Sequence, residues 1–395
     1  MLIREQMVSE ALAEAGTDHL EPVTKDISLG GAGDYAYVDR SFGGAVIYDT
    51  DGTTSNIDFV GNENTFVLDA SSEFDFFGYS YDSAYTDDSE VVVLQGSVGA
   101  GTRSIEFGES TDATEDWDVV SFDGLNSGIT LDLSQVDSNY DATAVSNGQA
   151  VAYVDGAEGV FGTAFGDTVN GDAARNIIHG GDGTDYLAGG DNQDLISGGA
   201  GSDHLYGGAG EDILIDIEGG GNIWGDAGSG TAENDSFVVG QGTAIQDFDL
   251  SPDGAGLSGR TNQINDVVFV QVAAASLAAA GFTLSEIYEL VSGDEQYSSQ
   301  WRDFVKDLEV EVVPDTTTGN SYNEIRLSID GNNDGQATDI GAVSFLEASS
   351  GSGNYNAVKM KTQLDEVLAQ FESTTSDNAH VLEQFFGMDT LTASQ

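Results

Sequence analysis

Residues 180–215 read GGDGTDYLAGGDNQDLISGGAGSDHLYGGAGEDILI, four nine-residue units laid end to end. Each unit opens on paired glycines, carries an acid at its sixth place and an aliphatic at its eighth. The phase runs back to residue 162 through two degenerate units, GTAFGDTVN and GDAARNIIH. Aliphatics then recur at Val169, Ile178, Leu187, Ile196, Leu205 and Leu214, and acid or amide at Asp167, Asn176, Asp185, Asp194, Asp203 and Asp212. Beyond 215 the register loosens: Ile223 keeps the aliphatic place, but Gly221 stands where the acid belongs. A unit this short cannot bury a core alone, so it must stack on its neighbours.

Six turn residues and three strand residues make half a coil. Two units make an 18-residue coil with a strand on each side, and successive coils pair in parallel about 4.8 Å apart. The eighth-place aliphatics point inward. Glycines accept the positive φ of tight turns and let stacked turns approach, which aims main-chain carbonyls into the gap between them. Asp167, Asp185 and Asp203 then share one edge; Asn176, Asp194 and Asp212 share the other. A hard cation between turns takes carboxylates and carbonyls together, and an all-oxygen, carbonyl-rich cage favours calcium over magnesium. The predicted ligands are Asp167, Asp185, Asp194, Asp203 and Asp212. The turn positions around them are Gly181, Gly183, Gly190, Asn192, Gly199, Gly201, Gly208 and Gly210. Asn192 replaces a fourth-place glycine, a position asparagine fills because it enters left-handed conformations more readily than most residues. Without the ion the acids repel across a thin core, so folding is expected to be coupled to calcium.

Charge agrees with this. The 395 residues include 69 acids against 11 basic residues, a formal net charge of -58. Between Arg40 and Arg175 the one basic side chain is Arg103. Self-repulsion of this size opposes compaction unless salt screens it or bound cations cancel it. It disfavours nucleic acid and anionic membranes as partners. Cysteine is absent, which removes disulfides and thiolate metal sites. No window reaches 18 apolar residues, so no transmembrane segment is expected. The opening MLIREQMVSEALAEAG lacks an apolar h-region and predicts a short amphipathic helix rather than a cleaved signal peptide.

The predicted fold is mainly β: an N-terminal β-rich domain continuing into a parallel β-roll, followed by a mixed α/β C-terminal region. Residues 1–33 read as helix and linker. Residues 34–154 hold short β-branched or aromatic runs such as YAYV, NTFVLDA and SEVVVLQG separated by turn residues, a pattern that fits a sandwich or a solenoid. The β-roll is placed at 155–250, and NDSFVVGQGTAIQDFDL near its end reads as two strands closing the stack. Residues 251–350 form a mixed capping domain, with helical character over 272–289 and strands in VKDLEVEVV and YNEIRLSI. Residues 351–395 are predicted helical, chiefly over 357–371, with a short helix up to Phe386. In IDGNNDGQATDIG, Asp330, Asn332 and Asp334 occupy the first, third and fifth places of an EF-hand-like loop. Gly341 stands where the bidentate glutamate belongs. That leaves a smaller DxNxDG calcium loop or a solvated hairpin turn.

The units starting at Gly180, Gly198 and Gly207 match GGxGxDxUx at every specified place, U being a large aliphatic. This stretch resembles the RTX (repeats-in-toxin) nonapeptide family. The resemblance implies a calcium-loaded parallel β-roll. It also implies type I secretion from a Gram-negative bacterium, the chain staying unfolded in the low-calcium cytoplasm and folding outside. The export signal would lie in the last fifty or so residues, where FFGMDTLTASQ has the expected small, hydroxylated and apolar character.

Many such proteins are hydrolases, yet HExxH and GxSxG are both missing. His19 and His380 lie in terminal segments; His179 and His204 fall at outward places of the repeats and read as surface residues. Paired carboxylates carry no signal in a chain with 69 acids. The leading expectation is a secreted or cell-surface calcium-binding structural protein, such as an S-layer, matrix or adhesion component. Its partners would be calcium, copies of itself, cell-surface or matrix components, and polysaccharide. One alternative is a secreted polysaccharide-acting enzyme with its site in 34–154, where Phe74, Phe76, Phe77, Tyr79, Tyr81 and Tyr85 form either a sugar-stacking strip or sheet core. Another is a marine phage virion appendage.

Overall fold

The structure is a computed structural model. It describes residues 18–20, 26–29, 35–38, 46–49, 55–59, 65–71, 74–78, 90–100, 103–107, 117–135, 142–226, 234–240, 242–248, 266–270, 279–281, 308–314, 323–329, 336–347 and 358–360. These fall into two compact units divided between Asp191 and Asn192.

In the first unit successive strands alternate between two parallel sheets. One sheet takes Asp18–Leu20, Tyr35–Val38, Ser55–Phe59, Phe74–Gly78 and Arg103–Phe107 in order. The other takes Asp26–Leu29, Val46–Asp49, Thr65–Asp69, Val91–Gly96, Val119–Leu125, Gly159–Phe161 and Ile177–His179. That alternation makes residues 34–154 a parallel solenoid rather than a sandwich. Pairing already begins at Asp18, opposite Ala36. The apolar member of each short run is what the stack buries. Phe66, Phe76, Val92, Ile105 and Val120 are fully buried. Phe76 packs edge-on against Phe66 and Phe107, with ring centroids 4.8 and 5.8 Å away, so it belongs to the core rather than to a sugar-stacking strip.

A hairpin interrupts the first sheet. Gln149–Asp155 pairs in parallel with Arg103–Phe107, then antiparallel with Ala142–Ser146. Asn147 and Gly148 turn it with φ of 51° and 77°, the two positive values a type I′ turn requires. Arg103 is buried beneath it. Its guanidinium donates to the carbonyls of Val151, Ala150 (3.2 Å) and Gly99 (3.3 Å). The sheet then resumes in parallel through Thr130–Asp132, Thr168–Asn170 and Tyr186–Asp191.

The second unit repeats the two-sheet plan. One sheet runs Leu195–Ser197, Ile213–Asp216, Ser236–Val239, Val267–Val270 and Val358–Met360, all parallel. The other runs His204–Ala209, Asn222–Trp224, Ala244–Phe248 and Thr338–Glu347. Asn323–Ile329 and Leu308–Pro314 then add to it antiparallel. Strands therefore continue past Ala244–Phe248, where the sequence predicts closure.

The mixed α/β C-terminal region is overturned: every element among its described residues is a strand. Val358–Met360 lies where a helix is predicted over 357–371, and pairs in register with Val268–Val270. An open parallel edge offers a row of unpaired N–H and C=O groups. Pairing with it makes Val358–Met360 a strand despite the helical spacing of the sequence there, because local propensity is a weak prior against tertiary context. The helices predicted over 272–289 and up to Phe386 lie almost wholly outside the described residues, as does the N-terminal helix.

Within the repeats, pairing has the expected offset of 18 residues: Thr168↔Tyr186 in the first unit, Leu195↔Ile213 in the second. Val169, Ile178, Leu187, Ile196, Leu205 and Leu214 are all fully buried. The two sheets differ on their outer faces. Thr168 and Tyr186 are exposed beside the buried Val169 and Leu187, whereas Ile177 and His179 are buried together with Ile178. Leu195, Ser197, Ile213 and Ile215 are likewise buried. His179 is thus an interior residue, contrary to its reading as a surface one. It stands 6.3 Å, centroid to centroid, from Phe161.

Truncating an eighth-place core residue opens a cavity that the tight stack cannot close. Leu205→Ala is expected to lower stability by about 2–5 kcal/mol. Tyr186→Ser, at a side chain 48% exposed, should change it by about 0.5 kcal/mol or less. Denaturation midpoints of the folded protein check both; equal shifts would contradict the inward and outward assignment.

Candidate metal centre

Each repeat turn is shaped by its second and fourth places. Gly181, Gly183, Gly190, Gly199, Gly201, Gly208 and Gly210 all have positive φ, between 82° and 155°. Asn192 takes φ 67°, the left-handed conformation that its place demands. Turns 18 residues apart lie almost in contact. A Cβ on Gly181 would run into the carbonyl oxygen of Thr163, one on Gly190 into that of Asp172, and one on Gly210 into that of Asn192. Glycine is required there because main-chain oxygens fill the space.

The sixth-place carboxylates enter the same crowded layer. Asp185, Asp194 and Asp203 are fully buried and Asp212 nearly so. One oxygen of Asp185 and one of Asp212 hold the turn before them. In the first unit the Asp167 amide donates to Asp185 Oδ1 at 2.7 Å; in the second the Asp194 amide donates to Asp212 Oδ1 at 2.8 Å. The other oxygen, Oδ2, of Asp185, Asp194, Asp203 and Asp212 is buried and, among the described residues, accepts no hydrogen bond. In Asp203 and Asp212 it points into the glycine layer: a Cβ on Gly198 would sit 2.6 Å from Asp203 Oδ2. One on Gly207 would meet Asp212 Oδ2 and, at 2.6 Å, the carbonyl oxygen of Gly225.

The two degenerate units solve the same problem with protein donors. Asp167 accepts the amide of Thr163 on Oδ2 and that of Ile129 on Oδ1, both at 2.6 Å, along with the Thr163 hydroxyl. Asn176, uncharged, accepts the Asp172 amide at 2.9 Å and donates to the Glu158 carbonyl at 3.2 Å. The chemistry changes at Asp185, where the GGxGxD units begin.

This donor set fits a hard cation. Carboxylate and carbonyl oxygens converge in the interior, and burying such a charge uncompensated costs several kcal/mol. Among the described residues no three carboxylate or imidazole side chains converge on one point. An ion held between the turns would take few carboxylates and complete its shell from main-chain carbonyls, as calcium does. Asp330, Asn332 and Asp334 lie outside the described residues; the strands flanking them pair antiparallel, Ile329 opposite Thr338.

Sequence reasoning missed acids past the repeats. Asp235 and Asp266 are buried and extend the hydrogen-bonded row from Asp212. Asp216, at a first place, caps the Gly221 amide at 3.1 Å and accepts the Thr243 hydroxyl at 3.1 Å. It supplies from another position the carboxylate that Gly221 lacks.

Burial, followed by the nearby charge of Asp266, pushes the Asp235 carboxyl up to about 9 from an ordinary 3.8. Burial also raises Asp247, against the amides of Gly225 and Asp226, and Asp167, against those of Thr163 and Ile129. A raised carboxyl means that the metal-free fold binds more protons than the unfolded chain, so acid favours folding. Metal-free protein in EDTA should gain β-structure as pH falls from about 9 towards 3.8, followed by circular dichroism. Loss of structure across that window would contradict the buried carboxylates.

Residues 161–196 and 189–215 match the RTX calcium-binding nonapeptide repeat, in four copies. No curated protein matches the chain. The matched stretch is the one in which glycine-lined turns stack at 18-residue spacing, so residues 161–215 carry RTX calcium-binding nonapeptide repeats, whose strands pair in parallel at that spacing within each unit.

Proposed function

We propose that this is an exported structural protein that calcium folds, a component of a surface layer, matrix or adhesive coat. The observation that supports this reading is the run of buried sixth-place carboxylates, Asp185, Asp194, Asp203 and Asp212, of which Asp203 and Asp212 face the first-place glycines of their own turns. Calcium bound between turns neutralises them and ties successive coils together. Residues Asp185, Asp194, Asp203 and Asp212 supply the side-chain oxygens. Gly181, Gly183, Gly190, Asn192, Gly199, Gly201, Gly208 and Gly210 shape the turns whose carbonyls complete the shell. Asp167 serves chiefly as the cap where the ion-bound stack begins, since both its oxygens already hold amides.

Coupling folding to calcium suits a chain that must stay unfolded inside a cell and fold after export. Type I secretion fits that sequence of events. Outside, calcium both completes the solenoid and screens a net charge of -58, so that acidic copies of the chain can approach one another. The DxNxDG loop at Asp330, Asn332 and Asp334 adds a further calcium ligand set in this reading.

Calcium titration of the purified chain, followed by circular dichroism and by size-exclusion light scattering, tests this. At millimolar or lower calcium the chain should gain β-structure and then grow into a defined oligomer or sheet that EDTA disperses. Folding into a compact monomer would remove the assembly role and leave calcium-coupled folding. A chain fully folded in EDTA would remove both.

A further inference from the structure

We infer that the calcium-binding edge extends beyond the repeats, and that Asp235, set on a turn opening at Gly225, forms one more cation site with Asp212. This rests on the calcium reading above and adds to it a ligand outside the nonapeptide pattern.

The first argument is register. Asp194 and Asp212 each stand one residue before a strand, Leu195–Ser197 and Ile213–Asp216, and Leu195 pairs with Ile213. The next strand is Ser236–Val239, with Ile213 opposite Ser236, so Asp235 occupies the place of Asp212 one coil further on. Hydrogen bonding follows the same rule. The Asp194 amide donates to Asp212 Oδ1 at 2.8 Å, and the Asp212 amide donates to Asp235 Oδ1 at 2.9 Å. The Asp235 amide donates in turn to Asp266 Oδ1 at 3.1 Å.

The second argument is the glycine cradle. In the repeats the first-place glycine leaves room for the acid of its own turn: a Cβ on Gly207 would strike Asp212 Oδ2. A Cβ on Gly225 would strike Asp235 Oδ2 in the same way. Gly225 thus plays the first-place glycine to Asp235. The period hides this because ten positions separate Gly225 from Asp235, where five separate Gly207 from Asp212.

The third argument is where the oxygens point. The space beside Gly207 is bounded by Asp212 Oδ2 and, 2.6 Å from a Cβ there, by the Gly225 carbonyl. The Gly208 amide takes one lone pair of that carbonyl at 2.7 Å, leaving the second for an ion. Asp235 is 1% exposed, and among the described residues the hydrogen bond on its carboxylate is that of the Asp212 amide, to Oδ1. Two buried carboxylates and a carbonyl in adjacent turns form the same donor set as in the repeats, and calcium is the cation it suits.

Asp235→Asn separates a ligand from a cap. The amide keeps an oxygen for the Asp212 N–H and removes the charge. Native mass spectrometry counts calcium on the full chain, with Asp203→Asn as the variant inside the repeats. Asp235→Asn should carry one calcium fewer than the unsubstituted chain and need several-fold more calcium to fold. If Asp235→Asn keeps the full count while Asp203→Asn loses an ion, Asp235 is only a cap and this inference is overturned, with the calcium reading intact. If the unsubstituted chain binds no calcium, the calcium reading itself fails. Should Asp235→Asn not fold, anomalous diffraction from calcium-grown crystals of the unsubstituted chain decides. A calcium peak about 2.3–2.6 Å from the Asp235 carboxylate is expected; peaks along the repeats with none at Asp235 would overturn the site.

Discussion

A carboxylate held out of water between two stacked turns is the constraint on which the repeat region depends. It dictates glycine, because only a residue without Cβ leaves room for the oxygens that converge at Gly181, Gly198, Gly207 and Gly210. It also sets the spacing, because acids on one edge must fall 18 residues apart to meet across successive turns. And it demands a countercharge. Asp167 and Asn176 show the alternative, with amides and an uncharged side chain taking the place of an ion. From Asp185 onward, in the reading proposed above, a cation takes that part.

The same logic bears on the charge of the whole chain. With 69 acids and 11 basic residues, ion pairs cannot balance the protein. In the first unit Arg103 sits inside the stack, on three carbonyls where the hairpin interrupts the sheet. A guanidinium there does for main-chain oxygens what bound cations do elsewhere in our reading. Each coil touches mainly its neighbours, so stability in such a solenoid is a sum of local interfaces. In the proposed reading, ions between coils would strengthen those interfaces directly.

Much of the repeat region was legible because period, residue type and place agree. The inward aliphatics, the turn glycines and the left-handed Asn192 follow from nine-residue phase alone. The solenoid of residues 34–154 was not legible, since its coils vary: Asp18 pairs with Ala36, but Phe74 with Arg103. Without a constant period, short strands read equally as a sandwich. The buried outer face was missed although a signal existed. Ile177, Leu195 and Ile213 put an aliphatic at the seventh place of every second unit, where the units between carry Thr168, Tyr186 and His204. Asp235 was hidden by inserted residues, and Val358–Met360 by apolar spacing that suits a helix when no partner strand is in view.

Hydrogen exchange read by mass spectrometry, with and without calcium, tests the central claim most directly. Amides of residues 177–216, which include those donated by Ile213 to Asp194 and by Asp194 to Asp212, should be strongly protected in calcium and exchange almost freely in EDTA. Equal protection in both conditions would contradict a fold that depends on a cation between its turns.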